Sequence, residues 1–204
     1  MRPPKPPDRP AAPRTKGRPA GQRPVEQMSL RDFIREPPTQ EELNQAYAEI
    51  DVQKNHRAAA IIAAAFVEDA LRFAFKAKFR ALTGPEYDEI FDAKGPLSSF
   101  QAAINLGYAM SFYESEAKSD LHVIRRIRNA FAHAMKPVTF ATVQISKEVD
   151  KLKYINWKRS KGETIFIFRG SGSMDNPNRE TYANHCRILI NDLIMDSLGI
   201  PRGP

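Results

Sequence analysis

The sequence predicts an all-α protein, a helical bundle preceded by a disordered tail that is rich in proline and arginine. Two observations carry this prediction. Through most of residues 28–204, apolar residues recur at spacings of three and four, the period of helices with one buried face. Residues 1–27 differ, because they hold eight of the 16 prolines and no aromatic residue. We therefore expect a tail over 1–27 and a single helical domain over 28–204.

The tail carries most of the net charge. It has seven basic and two acidic residues, which give +5 of the chain's +7. Proline lacks a backbone donor and favours extended conformations, and the segment cannot bury enough apolar surface to offset its ordering entropy. The tail is then either a solvated extension or an electrostatic arm for RNA, DNA or an acidic partner; a third alternative is that translation starts at Met28. The nearly neutral remainder gives little reason to infer phosphate binding from the pI.

The first predicted helices have clear end signals. Thr39 with Glu42 forms a capping box that begins a helix. The longest helix is expected over residues 55–82, where a wide apolar stripe rich in alanine implies burial on more than one side. The turn-forming Thr83-Gly84-Pro85 ends it, and a short acidic segment follows.

A further helix is predicted over residues 98–113. Ser98 with Gln101 forms its capping box. Gly107 lies in its interior, where glycine costs up to about 1 kcal/mol relative to alanine. We expect close backbone contact with another helix at Gly107.

The pattern changes after the helix predicted over residues 142–153. Residues 154–157 and 164–168 are β-like and flank a turn-prone segment, which predicts a β-hairpin within 154–169 before a last helix over 179–198. Lys158 and Arg159 lie among aromatic residues there. That composition suits a surface that stacks single-stranded nucleic acid, although packing on the body or on a partner subunit explains the aromatic residues as well.

The central helix, Leu121–His133, contains the constellation with the most obvious chemistry. Asn129 and His133 are four residues apart and share a face. Arg128 is rotated by about 140° from His133, so the two converge only if the arginine wraps, the helix frays or a second subunit supplies one of them. This helix contains several polar residues that a buried face does not need: Arg125, Arg126, Arg128, Asn129 and His133.

The R-N-x-x-x-H pattern of residues 128–133 resembles the signature of the HEPN superfamily of small helical proteins. Many of these are metal-independent ribonucleases of toxin–antitoxin or defence systems. A wider match joins the GPLSSF segment at 95–100 and LGYA at 106–109 to residues 121–133. It resembles the mannitol operon repressor (MltR-like) family and covers residues 55–152. The resemblance implies a dimeric, HEPN-like helical domain that acts in transcriptional regulation.

On this regulatory hypothesis the R-N…H residues are structural. Arg128 pairs with an acid such as Glu68 or Asp69, because a buried charge must be paired. The regulator works through contacts with a protein or a nucleic acid, and Arg125 and Arg126 are candidate nucleic-acid-binding residues. A third hypothesis is a ligand-sensing or helix-docking domain without either activity, in which Arg125 and Arg126 form an exposed basic patch for a partner.

The alternative hypothesis is a ribonuclease with RNA as substrate and an antitoxin as partner. His133 would move a proton near neutral pH. Arg128 would stabilise the charge on the phosphate, and Asn129 would orient His133 or the 2′-hydroxyl. Ala134-Met135 after the histidine departs from toxin members that carry a tyrosine near this point.

Several classes of site and location are disfavoured by the sequence. It has no nucleotide-binding glycine loop, no metal-ligand spacing and no nucleophile elbow, so we expect no metal and no cofactor. The lone Cys186 suits a reducing cytoplasm, where it would be a small core residue. No apolar run approaches the roughly 18 residues of a membrane-spanning helix.

Overall fold

The chain divides into two units, residues 1–36 and 37–204. The computed structural model describes residues 38–92, 94–163 and 176–197, together with Ser29, Glu36 and Ile165. The predictions of a disordered tail over 1–27 and of a start at Met28 therefore lie outside the described residues. All the described helices belong to the second unit.

The described part of this unit is built from helices and contains no β-strand, which confirms the predicted all-α class. The helices are α1 (Gln40–Val52), α2 (His56–Lys78), α3 (Gly84–Phe91), α4 (Phe100–Ala109), α5 (Ser115–His133), α6 (Val143–Val149), α7 (Tyr154–Ser160) and α8 (Pro177–Ser197).

The centre of the bundle is the pair α2 and α8, which pack against each other along much of their length. The buried residues of α2 are mostly alanines, whose small side chains allow close approach of a neighbouring helix. The hydroxyl of Tyr182 in α8 donates to the carbonyl oxygen of Ala60 in α2 at 3.1 Å. Nine consecutive residues of α8, 182–190, are buried, so this helix is enclosed on all sides at that point. A helix enclosed in this way belongs to the interior of the bundle.

Two arginines donate hydrogen bonds to carbonyl oxygens at the ends of other helices. Arg179 of α8 donates to the carbonyl oxygens of Ile50 and Asp51 at the end of α1, at 3.1 and 3.3 Å. Arg57 of α2 donates to the carbonyl oxygen of Ala134, just after α5, at 2.8 Å. The last carbonyls of a helix lack partners within it, so these contacts satisfy groups that burial would otherwise leave unpaired.

The predicted hairpin over 154–169 is wrong in its first half, because Tyr154–Ser160 is the helix α7. The carboxylate of Asp120 accepts the backbone N–H groups of Lys153 and Tyr154 at 2.9 and 3.0 Å, which caps the start of α7. Tyr154 and Lys158, one helical turn apart, both reach Asp192 of α8. These tertiary contacts override the β-propensity of a short aromatic run. Most of the predicted second strand lies outside the described residues.

The fourth helix is shorter than predicted, and its capping residue lies one position later. Ser99, rather than Ser98, caps α4 by accepting from the N–H of Ala102 at 3.1 Å. After α4, Ser111 has a positive φ of 58° and the chain turns back. Tyr113 then donates to the carbonyl oxygen of Ile104 at 2.7 Å, which places its ring against the backbone of Gly107. The glycine accommodates this tyrosine rather than another helix.

The acidic segment after Thr83 also forms a helix, α3. Glu86 accepts from the N–H and the hydroxyl of Thr83 at 2.8 and 2.9 Å, a capping box that the sequence contains as T-x-x-E. Neither a helix long and apolar enough to span a membrane nor a cluster of metal-binding side chains occurs in the described ranges.

Candidate functional site

The helix α5 buries an apolar face, as the sequence predicts. Leu121, Ile124, Ile127 and Phe131 are fully buried. The predicted site residues lie on the remaining surface of α5, but their side chains meet three different surroundings. The site is therefore best described by the partners of each residue.

Arg128 faces α2, where it meets Glu68. Its Nη2 lies 2.8 Å from Oε2 of Glu68, and its Nη1 donates to Oδ1 of Asn129 at 3.1 Å. The other carboxylate oxygen of Glu68 accepts from Arg72 at 2.9 Å. Only 13% of the Glu68 side chain is exposed, so this carboxylate stands between two guanidinium groups in a largely shielded place.

The second acid proposed from the sequence, Asp69, does not reach α5. Its Oδ1 accepts from Arg72 at 3.1 Å, and about half of its side chain is exposed. Arg72 thus joins both acids on the surface of α2. The sequence contains this arrangement as an E-D-x-x-R pattern in one helical turn, a signal that sequence analysis missed.

His133 is exposed at the last residue of α5. Within the described part of the chain its imidazole has no hydrogen-bond or ion-pair partner. It does not line the cleft that contains Arg128 and Asn129. One copy of the chain therefore does not assemble the R-N…H residues into a single site.

The two adjacent arginines of α5 diverge. Nε of Arg126 donates to Glu148 of α6 at 2.9 Å. Arg125 turns towards the start of α4, and its Nε is shielded from solvent without a hydrogen-bond acceptor in the described residues. Partial burial, helped by Arg125, Lys118 and Arg126, lowers the pKa of His122 on the same face. The exposed side of α5 is thus basic.

A cleft of about 560 Å³ opens between α2, the start of α4 and α5. Its walls are mostly polar and include Glu68 as an acid. The lining residues are Glu68, Ser98, Ser99, Phe100, Gln101, Ala102, Asn105, Arg125, Arg128 and Asn129.

The end of α4 presents an apolar patch next to this basic side of α5. We call Leu106, Tyr108 and Met110 the α4 patch; they are 39%, 40% and 39% exposed. The Nζ of Lys118 in α5 lies 4.2 Å from the centre of the Tyr108 ring. Lys118 thus joins Tyr108 to the basic side of α5, while Leu106 and Met110, four residues apart, share another side of α4.

Comparison with known proteins identifies the architecture. No known family profile matches the sequence, and no curated protein matches it either. A chain from the X-ray structure of the MtlR–HPr complex of Escherichia coli superposes with a TM-score of 0.56 and 14% sequence identity. The superposition covers 74% of this chain and 98% of that one. The fold is MtlR-like.

The remaining basic candidates lie elsewhere on this MtlR-like fold. Lys158 is buried on α7, and its Nζ lies 2.8 Å from Asp192 and 3.0 Å from Glu163. Arg159 is exposed on the same helix. Lys158 is therefore part of the packing between α7 and α8 rather than of an exposed basic surface.

Sequence analysis missed a set of buried polar residues. Asp120 is fully buried, and its Oδ2 lies 2.6 Å from Nδ1 of His185. Arg187 of α8 forms an ion pair with Asp51. Cys186 beside it is fully buried, as the sequence predicts, and burial raises the pKa of its thiol. The available signal was that the polar residues of α8 interrupt an otherwise apolar helix; their partners are distant in sequence.

Proposed function

We propose that this protein is a regulator that acts by binding another protein through the α4 patch and the adjoining basic side of α5. The observation that carries this proposal is the exposure of Leu106, Tyr108 and Met110 at the end of one helix, with Lys118 over the ring of Tyr108. Large apolar side chains that stay exposed close to polar groups are typical of protein-interaction sites. Aromatic residues and methionine are also enriched at such interfaces.

The likeness of fold supports a choice of partner. The chain that superposes on this protein was crystallised as part of an MtlR–HPr complex. We therefore propose an HPr protein as the partner, and control of transcription through that contact as the output.

The Glu68–Arg128 contact supports a structural role for the R-N…H residues. A ribonuclease would need the charge of Arg128 for a phosphate, but here that charge faces a carboxylate at 2.8 Å. Asn129 accepts from the same arginine at 3.1 Å. His133, which would move the proton, lies apart from them at the helix end.

The decisive experiment is calorimetric titration of the purified chain with an HPr protein from the same organism. Leu106→Gln should weaken binding about tenfold, because a buried interface anchor contributes on the order of 1–2 kcal/mol. Val143→Gln is the matched control, since Val143 is 61% exposed on α6 and should leave binding unchanged. Absence of HPr binding, or equal loss in both variants, would overturn the proposed partner and surface.

Two further measurements separate the alternatives. Light scattering would detect a dimer; a dimer that Leu106→Gln dissociates would make the α4 patch a self-association surface instead. RNA cleavage in EDTA that is lost in folded Arg128→Ala and His133→Ala variants would identify the ribonuclease instead.

A further inference from the structure

We propose that the cleft between the start of α4 and α5 binds a small phosphate monoester. This inference goes beyond partner binding and does not rest on it, because the cleft residues are separate from Leu106, Tyr108 and Met110.

The first argument is the unbalanced charge of Arg125. Arg125 and Arg128 are three residues apart and line the same cleft. Arg128 has Glu68 as its counter-charge, whereas Arg125 forms no ion pair with any residue that the structure describes. Its Nε is also shielded from water without an acceptor. Arg125 is partly buried, and shielding part of a guanidinium without a counter-charge is costly, so the cleft is suited to an anion that supplies one.

The second argument is the set of donors on the facing wall. The backbone N–H groups of Phe100 and Gln101, in the first turn of α4, donate to no acceptor in the described chain. The hydroxyls of Ser98 and Ser99 line the cleft beside them. Ser99 accepts from Ala102 but keeps its own O–H to donate. Free N–H groups and the helix dipole both favour negative charge here.

The third argument is the local charge balance. Glu68 is the one acid among the residues that line the cleft, and its two oxygens already serve Arg72 and Arg128. The amides of Asn105 and Asn129 add neutral polar groups to the walls. The uncommitted charge of the cleft is therefore positive.

These donors favour a phosphate over a carboxylate. They come from two sides, the guanidinium on α5 and the backbone N–H groups and serine hydroxyls at the start of α4, and they are numerous enough for a group with three terminal oxygens. Arginine and backbone N–H groups form short, strong hydrogen bonds with phosphate oxygens. A volume of about 560 Å³ exceeds that of phosphate alone and falls within the range of small-ligand sites. The remaining space accommodates the alcohol part of an ester.

The test is titration of the full-length chain with inorganic phosphate and with phenyl phosphate, at constant ionic strength, followed by amide NMR shifts and calorimetry. We expect saturable binding of both, tighter for the ester, with the largest shifts at Phe100 and Gln101. Arg125→Gln should weaken binding about tenfold, because a hydrogen bond to a charged group is lost. Arg126→Gln is the matched control, since it removes the same charge from a side chain held by Glu148. Both variants should have the melting temperature of the wild type.

Three outcomes would overturn the site. They are no saturable binding of either probe, equal weakening by the two arginine variants, and tighter binding of a phosphoserine peptide than of phenyl phosphate. The last would make the ligand a modified protein segment. The Leu106→Gln variant should still bind phenyl phosphate. Loss of phosphate binding with HPr binding intact, or the reverse, therefore shows which of the two proposals has failed.

Discussion

Glu68 of α2 and Arg128 of α5 lie 2.8 Å apart, although 60 positions separate them in the sequence. Arg72 approaches the other oxygen of the same carboxylate at 2.9 Å. One acid thus offsets two guanidinium groups at the contact between two helices. Arg128, the first residue of the motif that resembles a ribonuclease signature, is paired with a carboxylate in this arrangement.

Glu68→Gln should therefore destabilise the fold more than removal of an exposed acid. It leaves Arg128 without a counter-charge and Arg72 with only the half-exposed Asp69. We expect a loss of about 1–2 kcal/mol in the free energy of unfolding. Urea denaturation measures this. Glu148→Gln is the control, because its pair with Arg126 is more exposed and should contribute no more than about 0.5 kcal/mol. Equal effects of the two variants would contradict a structural role for Glu68.

Asp120→Asn should destabilise the fold more than either Glu68→Gln or Glu148→Gln. Asp120 is fully buried and accepts two backbone N–H groups at the start of α7, besides contacting His185 at 2.6 Å. In asparagine, an NH₂ group replaces one of the two acceptor oxygens, and this donor would face a donor such as a backbone N–H group of α7. We expect a loss of about 2–4 kcal/mol.

Hydrogen exchange locates the effect of Asp120→Asn. Amides of α7 should lose protection before those of α2, since the carboxylate caps α7 directly. Asp150→Asn, at an exposed position, is the control. It should change neither the free energy of unfolding nor the protection of the α7 amides. Uniform loss of protection in α2 and α7 would show that Asp120 supports the whole bundle rather than α7.

The all-α class and most helix positions could be predicted because apolar spacing and capping are local signals. The Thr39–Glu42 box begins α1 as expected, and the apolar residues of α5 are buried. The hairpin prediction failed because residues 154–157 have β-like composition, while the contacts that make them helical come from Asp120 and Asp192. Contacts between such distant residues cannot be derived from local propensity.

The same limit applies to the candidate site. The sequence identified Arg125, Arg128 and Asn129 as unusual, and all three line one cleft. It could not show that Arg125 and Arg126, adjacent in the chain, would face different neighbours. That difference depends on where α4 and α6 pack against α5, which periodicity does not specify.

His122 should make stability depend on pH. Burial, together with Arg125, Lys118 and Arg126, lowers the pKa of His122 below its ordinary value. As pH falls through about 6.5, the unfolded chain therefore binds the proton first and stability decreases. The decrease ends once pH passes below the pKa in the folded chain. Between about pH 7.5 and 5.5, the wild type should lose more stability than His122→Gln.

Urea denaturation of both proteins at each pH measures the difference for His122. In an Arg125→Gln background this difference should be smaller, since one of the charges that repel protonated His122 is removed. Parallel stability curves for wild type and His122→Gln would show that protonation of His122 is not penalised by folding.

Gly107→Ala should destabilise the protein even though alanine is the better helix former by up to about 1 kcal/mol. A Cβ at Gly107 would lie 2.8 Å from Oη and 3.1 Å from Cε1 of Tyr113. The ring is held by its hydrogen bond to the carbonyl oxygen of Ile104 at 2.7 Å, so it cannot move aside freely. We expect a net loss of about 1 kcal/mol in the free energy of unfolding from overpacking.

In a Tyr113→Ala background the clash is absent, and Gly107→Ala should become stabilising. Urea denaturation of the four proteins gives the coupling energy of this cycle. An effect of one sign in both backgrounds would mean that Tyr113 is not the reason for the glycine.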